Sequence, residues 1–198
     1  MSIPDEKMAR VLESQGYREL VTAHLFSSGV ALAPTLDDKH MLADHAREEL
    51  GHFEVVSTLY DRLFGKSLYE IVSERARRVA LPASWLESAV AGYIVDRAAA
   101  IQLTDYKRLP DERLGRLVDE ILEHEHEHQS AAETALLDQC KSDPKASELA
   151  AAFVARWFQA ALDVLDGDDP ESRGRVVAQL VESLRPTLSA CRLTLPRA

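Results

Sequence analysis

The sequence is poor in several residue types, and each shortage excludes a class of protein. Its two cysteines, Cys140 and Cys191, lack the dense spacing of a disulfide framework. Basic residues number 23 against 33 acidic ones, so the net charge is −10 and no basic stripe suggests a nucleic-acid partner. No apolar run approaches the ~20 residues of a membrane span, and Met1–Arg10 lacks the apolar segment of a signal peptide. These features predict a single-domain cytoplasmic protein with reduced thiols and no membrane partner.

Aromatic residues make up only 6% of the chain, and alternating β-branched runs are missing, so the expected fold is all-α. The apolar pattern predicts four long helices, at about 4–26, 36–64, 84–103 and 111–140, and two C-terminal helices at about 147–165 and 171–184. The connection at 65–82 is long and has modest helical character. A long crossover between the second and third helices is typical of ferritin-like four-helix bundles. We therefore expect one such domain over 1–198, with its metal-binding core at about 4–140.

Several residues mark where these helices begin and end. Thr35, with Asp38 three residues later, forms a capping pattern at the start of the second helix, and Gly65 is a stop signal at its end. The small residues 27–29 are expected to end the first helix. Pro186 is expected to end or kink the last helix, and a turn is predicted at 167–170.

Two Glu-x-x-His motifs, Glu49/His52 and Glu125/His128, are the most informative feature of the chain. Residues i and i+3 share a helix face, so each motif directs a carboxylate and an imidazole to one point. Glu49 and His52 continue the apolar stripe of their helix, whereas Glu48 falls on a neighbouring face. Gly51, inside the motif, lowers helix propensity by about 1 kcal/mol relative to Ala, which suggests that close packing requires it.

The second motif lies in the run Glu123-His124-Glu125-His126-Glu127-His128, which contains a competing pair, Glu123 and His126. Periodicity separates the pairs: Glu125 and His128 continue the apolar stripe, and Glu123 and His126 continue the solvent face. The alternatives are a surface metal-binding run or a solvated face without function. For a single motif, an ordinary Glu–His pair at the stripe edge is the commoner explanation.

Two further carboxylates complete a di-iron constellation. Glu19 lies on the apolar stripe of the first helix, and Asp96 lies on the third, beside Arg97, in an otherwise uncharged stretch. An adjacent Asp–Arg surface pair is the simpler explanation for Asp96 alone. Four carboxylates would balance the four positive charges of two ferrous ions, while the two histidines bind as neutral imidazoles. This donor set suits iron or manganese better than structural zinc, with the ions ~3.5–4 Å apart.

With these residues placed, the chain resembles the catalytic subunits of bacterial phenylacetyl-CoA epoxidases, the phenylacetic acid catabolic family within the ferritin-like di-iron superfamily. The resemblance covers roughly 11–169. It rests on the following segments: Ala33-Pro34-Thr35-Leu36, Glu49-Leu50-Gly51-His52, Tyr93-Ile94-Val95-Asp96-Arg97-Ala98-Ala99, Glu125-x-x-His128-Gln129 and Arg156-Trp157-Phe158. Aspartate at position 96 is its most discriminating element. The chain is much shorter than that subunit, and no residues for coenzyme A are identifiable.

The resemblance implies a di-iron monooxygenase that activates dioxygen and oxygenates an apolar substrate, aromatic or an acyl-CoA thioester. Phe26, Phe53 and Tyr93 are candidates for an apolar wall beside the metals. A separate reductase is implied because no flavin or nicotinamide motif is present, and a sister subunit or self-association fits the same picture. Three alternatives stay open: a ferritin-like iron-oxidising or storage protein, a di-iron tRNA hydroxylase, and a metal-free scaffold.

Overall fold

The computed structural model describes residues 3–165 and 170–196, except for five side chains within helices, those of Glu123, His124, His126, Glu127 and Pro144. All regular secondary structure in this part of the chain is helical. The helices are α1 (Asp5–Leu32), α2 (Leu36–Phe64), α3 (Leu68–Ala76), α4 (Trp85–Tyr106), α5 (Glu112–Ser142), α6 (Pro144–Val164) and α7 (Pro170–Ala190). The expected all-α class is confirmed.

Four of these helices form the bundle. α1 packs along α2, and α4 packs along α5, while contacts between α1 and α4 and between α2 and α5 join the two pairs. Short α3 lies in the crossover between α2 and α4 and packs on α1, and α6 and α7 cover the outer side of α4. α4 is therefore buried on almost every face, as its nearly continuous apolar sequence predicts.

The ends of α2 follow the signals read from the sequence. The Thr35 hydroxyl accepts a hydrogen bond from the Asp38 backbone N–H at 3.1 Å and donates to the Asp38 carboxylate at 2.5 Å. At the other end, Gly65 adopts the left-handed conformation, with φ of 64°, and its N–H donates to the Asp61 carbonyl. Both predictions are confirmed. The helix between these two ends carries Glu49 and His52.

The predicted end of α1 at residues 27–29 is wrong, because the helix continues to Leu32. Gly29 allows close packing there: an added Cβ would lie 2.7 Å from Ser88 Oγ and 3.0 Å from Leu42 Cδ1. The helix ends instead before Pro34, which pushes the preceding residue, Ala33, into an extended conformation.

The last helix also differs from expectation. α7 runs through Pro186 to Ala190, so the predicted end at Pro186 is wrong, while a kink at this residue stays a prediction. Proline removes one backbone hydrogen bond, but Leu184 and Leu188, on either side of it, are buried in the main core. The predicted turn at 167–170 falls largely on residues 166–169, outside the described part of the chain. Within the described residues, no helix has the length and apolar character to cross a membrane.

Candidate metal centre

The fold brings all six predicted site residues together at the centre of the bundle. α1 contributes Glu19, α2 contributes Glu49 and His52, α4 contributes Asp96, and α5 contributes Glu125 and His128. All six are at least 95% buried. Burying four carboxylates in an apolar core is costly unless cations or hydrogen bonds compensate them. Their assignment as metal ligands remains a prediction that this clustering supports.

The six residues form two overlapping groups of four, and each group offers ligand atoms within 4.8 Å of one another. One group contains Glu19 and His52, the other contains Asp96 and His128, and both contain Glu49 and Glu125. Each half of the centre therefore has its own carboxylate and imidazole. The two shared carboxylates lie where they could bridge a pair of ions, as in two-metal sites.

The imidazoles face these carboxylates through their Nδ1 atoms. His52 Nδ1 lies 3.7 Å from Glu19 Oε2 and 3.9 Å from both Glu49 Oε2 and Glu125 Oε1. His128 Nδ1 lies 3.0 Å from Glu49 Oε1 and 3.9 Å from Asp96 Oδ1. Each imidazole is thus placed to donate a lone pair from Nδ1 into its own half of the centre.

Glu48 has a role that the periodicity argument missed. Its Oε2 lies 2.8 Å from His128 Nε2, on the side of the ring opposite the carboxylate cluster. A carboxylate that accepts from the outer ring nitrogen keeps the proton there and leaves the inner nitrogen available to a metal. Glu48 does lie on a face of α2 next to that of Glu49, as the periodicity indicates. That face contacts the outer edge of the His128 ring. A second carboxylate directly before the ligand Glu49 was the available signal.

Two polar residues of α1 hold the carboxylates in place. The Thr22 hydroxyl donates to Glu49 Oε2 at 2.7 Å, and the Gln15 side-chain amide donates to Glu19 Oε1. Gln15 in turn accepts from the buried Arg18 guanidinium at 2.8 Å. Gln15 and Thr22 lie on the same apolar stripe as Glu19. A polar residue on such a stripe is the sequence signal for a side chain that holds a buried carboxylate.

Burial and mutual charge shift the pKa values of the cluster strongly. Burial raises the pKa of Asp96 to about 8, with the Glu49 charge adding to the effect, and burial raises the pKa of Glu19 to about 7. Burial opposes charge on His52 and His128, but the carboxylates that these rings face outweigh it, because Glu19 and Glu49 stabilise the protonated His52 ring and Glu49 stabilises the protonated His128 ring. They raise these pKa values to about 10 and about 9. Without metal, protons therefore supply the positive charge that the carboxylates need.

The donor atoms of this centre fit a pair of hard divalent cations. Both Asp96 carboxylate oxygens and Glu125 Oε2 are buried without a hydrogen-bond partner in the described part of the chain. Such orphaned acceptors are rare in folded proteins and call for a specific explanation. Oxygen and imidazole donors without a thiolate favour iron or manganese over a structural zinc ion. The residues present therefore fit the di-iron centre predicted from the sequence.

His45 is a second residue whose place the sequence did not reveal. It lies one turn before Glu49, and its ring contacts that of His128 at a tilt of 42°, with centroids 4.2 Å apart. Phe26 meets both rings edge-on, at 5.3 Å from His45 and 5.5 Å from His128. Burial, followed by the neighbouring His128 charge, lowers the pKa of His45 to about 4, so it is neutral at pH 7.

The three aromatic residues expected beside the metals make contacts in three different places. Phe26 borders the centre through His128. Tyr93 instead directs its hydroxyl towards the Leu184 carbonyl of α7 at 3.3 Å. Phe53 packs against Tyr69 of α3. Arg97 does not pair with Asp96, as a surface Asp–Arg pair would require, but with Glu133 at 3.1 Å.

Comparison with known proteins supports the ferritin-like part of the resemblance. Residues 4–166 match the family described as "Ferritin-like domain, actinomycetes", a span that includes all six clustered residues. No curated protein shows significant similarity to the chain. The match provides no evidence for a phenylacetyl-CoA epoxidase in particular. Because it spans most of the sequence and agrees with the helical bundle, the chain belongs to the ferritin-like domain family of actinomycetes.

Proposed function

We propose that this protein is a non-haem di-iron carboxylate oxygenase that transfers an oxygen atom from dioxygen to an apolar organic substrate. The observation that carries the proposal is the pair of overlapping four-residue groups that share Glu49 and Glu125. A buried two-metal site of this composition supports redox chemistry with dioxygen, whereas a closed thiolate site serves structure.

Glu19 and His52 would hold one ion and Asp96 and His128 the other, with Glu49 and Glu125 between them. Two ferrous ions, or a mixed iron–manganese pair, would supply the electrons that reduce dioxygen. The chain's own residues position and protect this chemistry. Thr22 fixes the orientation of Glu49 through its 2.7 Å hydrogen bond, and Glu48 holds the proton on His128 Nε2.

Further components follow from this proposal. Oxygenation consumes two electrons per turnover beyond those supplied by the substrate, and the sequence offers no flavin or nicotinamide motif, so a separate reductase is required. A small organic molecule is the substrate. A sister subunit or a second copy of the chain fits the same kind of enzyme.

The first test is the metal content after anaerobic loading with ferrous iron. We expect two ions per chain. Replacing Glu125 or His128 with Ala should remove most of the bound metal, because each belongs to the four-residue group around Asp96. The same replacement at Glu123 or His126 should leave metal content nearly unchanged, as the periodicity of the sequence predicts. Equal loss from both pairs would show that the helix face was assigned wrongly.

The second test separates oxygenation from iron storage. The reduced, iron-loaded protein should incorporate labelled oxygen from dioxygen into an apolar substrate when a reductase is supplied, and mass spectrometry of the product detects it. Uptake and retention of many more than two irons per chain would replace the proposal with an iron-oxidising or storage function. If the protein bound no metal, the metal-free scaffold would replace the proposed oxygenase.

A further inference from the structure

A narrow apolar cavity lies beside the metal centre. It runs between α1, α2, α4 and α5, and His128 and His45 form part of its wall. Apart from these rings and Ser88, the described residues of its wall are apolar and include Phe26, Leu42 and Ala132. Its volume of about 20 Å³ has room for one or two water-sized molecules. The cavity as it stands therefore admits dioxygen, but a substrate ring must displace a side chain.

A wider groove on the surface adjoins this cavity. The groove, of about 670 Å³, is lined by Met41, Trp85, Ala131 and Ala135, and these four residues also line the inner cavity. The two spaces thus meet along a shared wall. Met41 is the flexible member of that wall, since an unbranched thioether side chain changes rotamer readily. A change of the Met41 rotamer would join the two spaces into a path from the surface to the His128 ring.

Among the described residues that line the groove, the charged side chains are acidic. Asp38 and Asp138 lie in its wall. Two lysines lie nearby but are not among the described residues that line the groove: Lys141 lies 3.9 Å from Asp138 in an exposed pair, and the Lys39 amine donates to the Val30 carbonyl at 2.7 Å. The whole chain carries a net charge of −10. An anionic ligand approaching this groove meets repulsion, whereas a neutral one does not.

We infer that the groove and cavity form the entrance for a small, uncharged, apolar substrate, and that they discriminate against carboxylates and coenzyme A thioesters. This inference rests on the proposed oxygenase function and narrows its substrate class. An uncharged ring gains from burial against Met41, Trp85 and the alanines of the shared wall. A coenzyme A thioester brings several phosphate charges to a groove whose described lining residues include no basic side chain.

The test is calorimetric titration of the full-length chain, metal-loaded under anaerobic conditions and again after chelation. The probes are 4-methylphenol, which is uncharged at pH 7, phenylacetate, which is similar in size but anionic, and phenylacetyl-coenzyme A. We expect 4-methylphenol to bind at least tenfold more tightly than either anion. Replacing both Asp38 and Asp138 with Asn should reduce the difference in affinity between 4-methylphenol and phenylacetate.

The location of the binding site is tested by introducing a large side chain at an alanine that lines both the groove and the cavity. Ala135→Phe should weaken 4-methylphenol binding at least tenfold, while Ala151→Phe, on an exposed position of α6, should not. If Ala135→Phe fails to fold, as judged by circular dichroism, Ala131→Phe provides the same block. Tighter binding of phenylacetyl-coenzyme A, or binding that both wall variants leave unchanged, would overturn the inference. Binding to the chelated protein is measured without turnover, so this failure is distinct from a failure to bind iron or to oxygenate.

Discussion

Replacing Asp96 with asparagine should stabilise the metal-free protein while it removes one of the proposed metal ligands. Asp96 is 99% buried, and neither of its carboxylate oxygens has a hydrogen-bond partner among the described residues. A buried acceptor without a partner destabilises a fold by about 1–3 kcal/mol, and a charged one by more. We therefore expect the buried Asp96 carboxylate to lower the stability of the metal-free fold.

The magnitude follows from the pKa of Asp96. Burial, together with the nearby Glu49 charge, raises this pKa from 3.8 to about 8. At pH 7 the folded chain therefore holds a proton that the unfolded chain has released. A pKa difference of one corresponds to about 1.4 kcal/mol, so keeping that proton up to pH 7 destabilises the fold by about 4 kcal/mol at most. Asparagine removes this term but leaves a buried amide, so we expect a net gain of about 1–3 kcal/mol.

The pH dependence has a definite sign. Between pH 4 and pH 8 the folded state binds more protons at Asp96 than the unfolded state does, so its contribution to stability falls as the pH rises. Below the unfolded pKa of 3.8 both states hold the proton, and the penalty disappears. The advantage of Asp96→Asn over the parent protein should therefore be smallest near pH 4 and grow towards pH 8.

Urea unfolding of the chelated proteins at pH 4.5 and pH 7.5, followed by circular dichroism, measures this difference. Asp105→Asn is a matched control, since Asp105 lies on the same helix but accepts hydrogen bonds from Ser172 and Arg175. Burial opposes charge on Asp105, but these hydrogen bonds lower its pKa, so the control should destabilise the fold by about 1–3 kcal/mol. Equal destabilisation by both variants would refute the view that Asp96 is an uncompensated carboxylate.

Further predictions concern the support of the site and two glycines. Glu48→Gln should weaken metal binding about 10- to 100-fold, as measured by competition with a chromogenic chelator, because the His128 Nε2 proton loses its carboxylate acceptor. A normal affinity in this variant would make the 2.8 Å contact incidental. Gly16→Ala should lower the midpoint of urea unfolding, because the new Cβ would lie 2.6 Å from Leu68 Cδ2. Gly51→Ala should instead raise stability by up to about 1 kcal/mol, because its Cβ would meet nothing within 4 Å, and a loss of stability there would contradict this assignment.

The bundle helices and the clustering of the site residues could be predicted because both follow from one periodicity. A residue on the apolar stripe of a bundle helix points to the centre, so Glu19, Glu49 and Asp96 could each be placed from their own helix alone. The contacts of Glu48 and His45 could not. They depend on how deeply the His128 ring of α5 reaches towards α2, and the spacing between helices is set by packing that a single-helix pattern does not contain.

Gly29 and Gly51 also show that the pattern of a single helix does not predict contacts between helices. Gly29 suggested a helix end and Gly51 suggested close packing, and the structure reverses both interpretations. A glycine is a weak helix former at every interior position. Whether a neighbouring helix approaches it is decided by residues distant in sequence: Ser88 and Leu42 crowd Gly29, whereas open space surrounds the position of a Cβ at Gly51.

The C-terminal helices explain why Asp96 alone among the buried carboxylates of α4 lacks a hydrogen-bond partner. α4 buries three acidic side chains, and α6 and α7 supply partners for two of them. Glu87 accepts from Arg156 at 2.6 Å, and Asp105 accepts from Arg175 at 3.1 Å. Asp96 faces the opposite side of the helix, towards α1, α2 and α5, where it lies beside Glu49, Glu125 and His128. The outer helices thus neutralise the acidic groups that serve structure and leave the inward one to a cation.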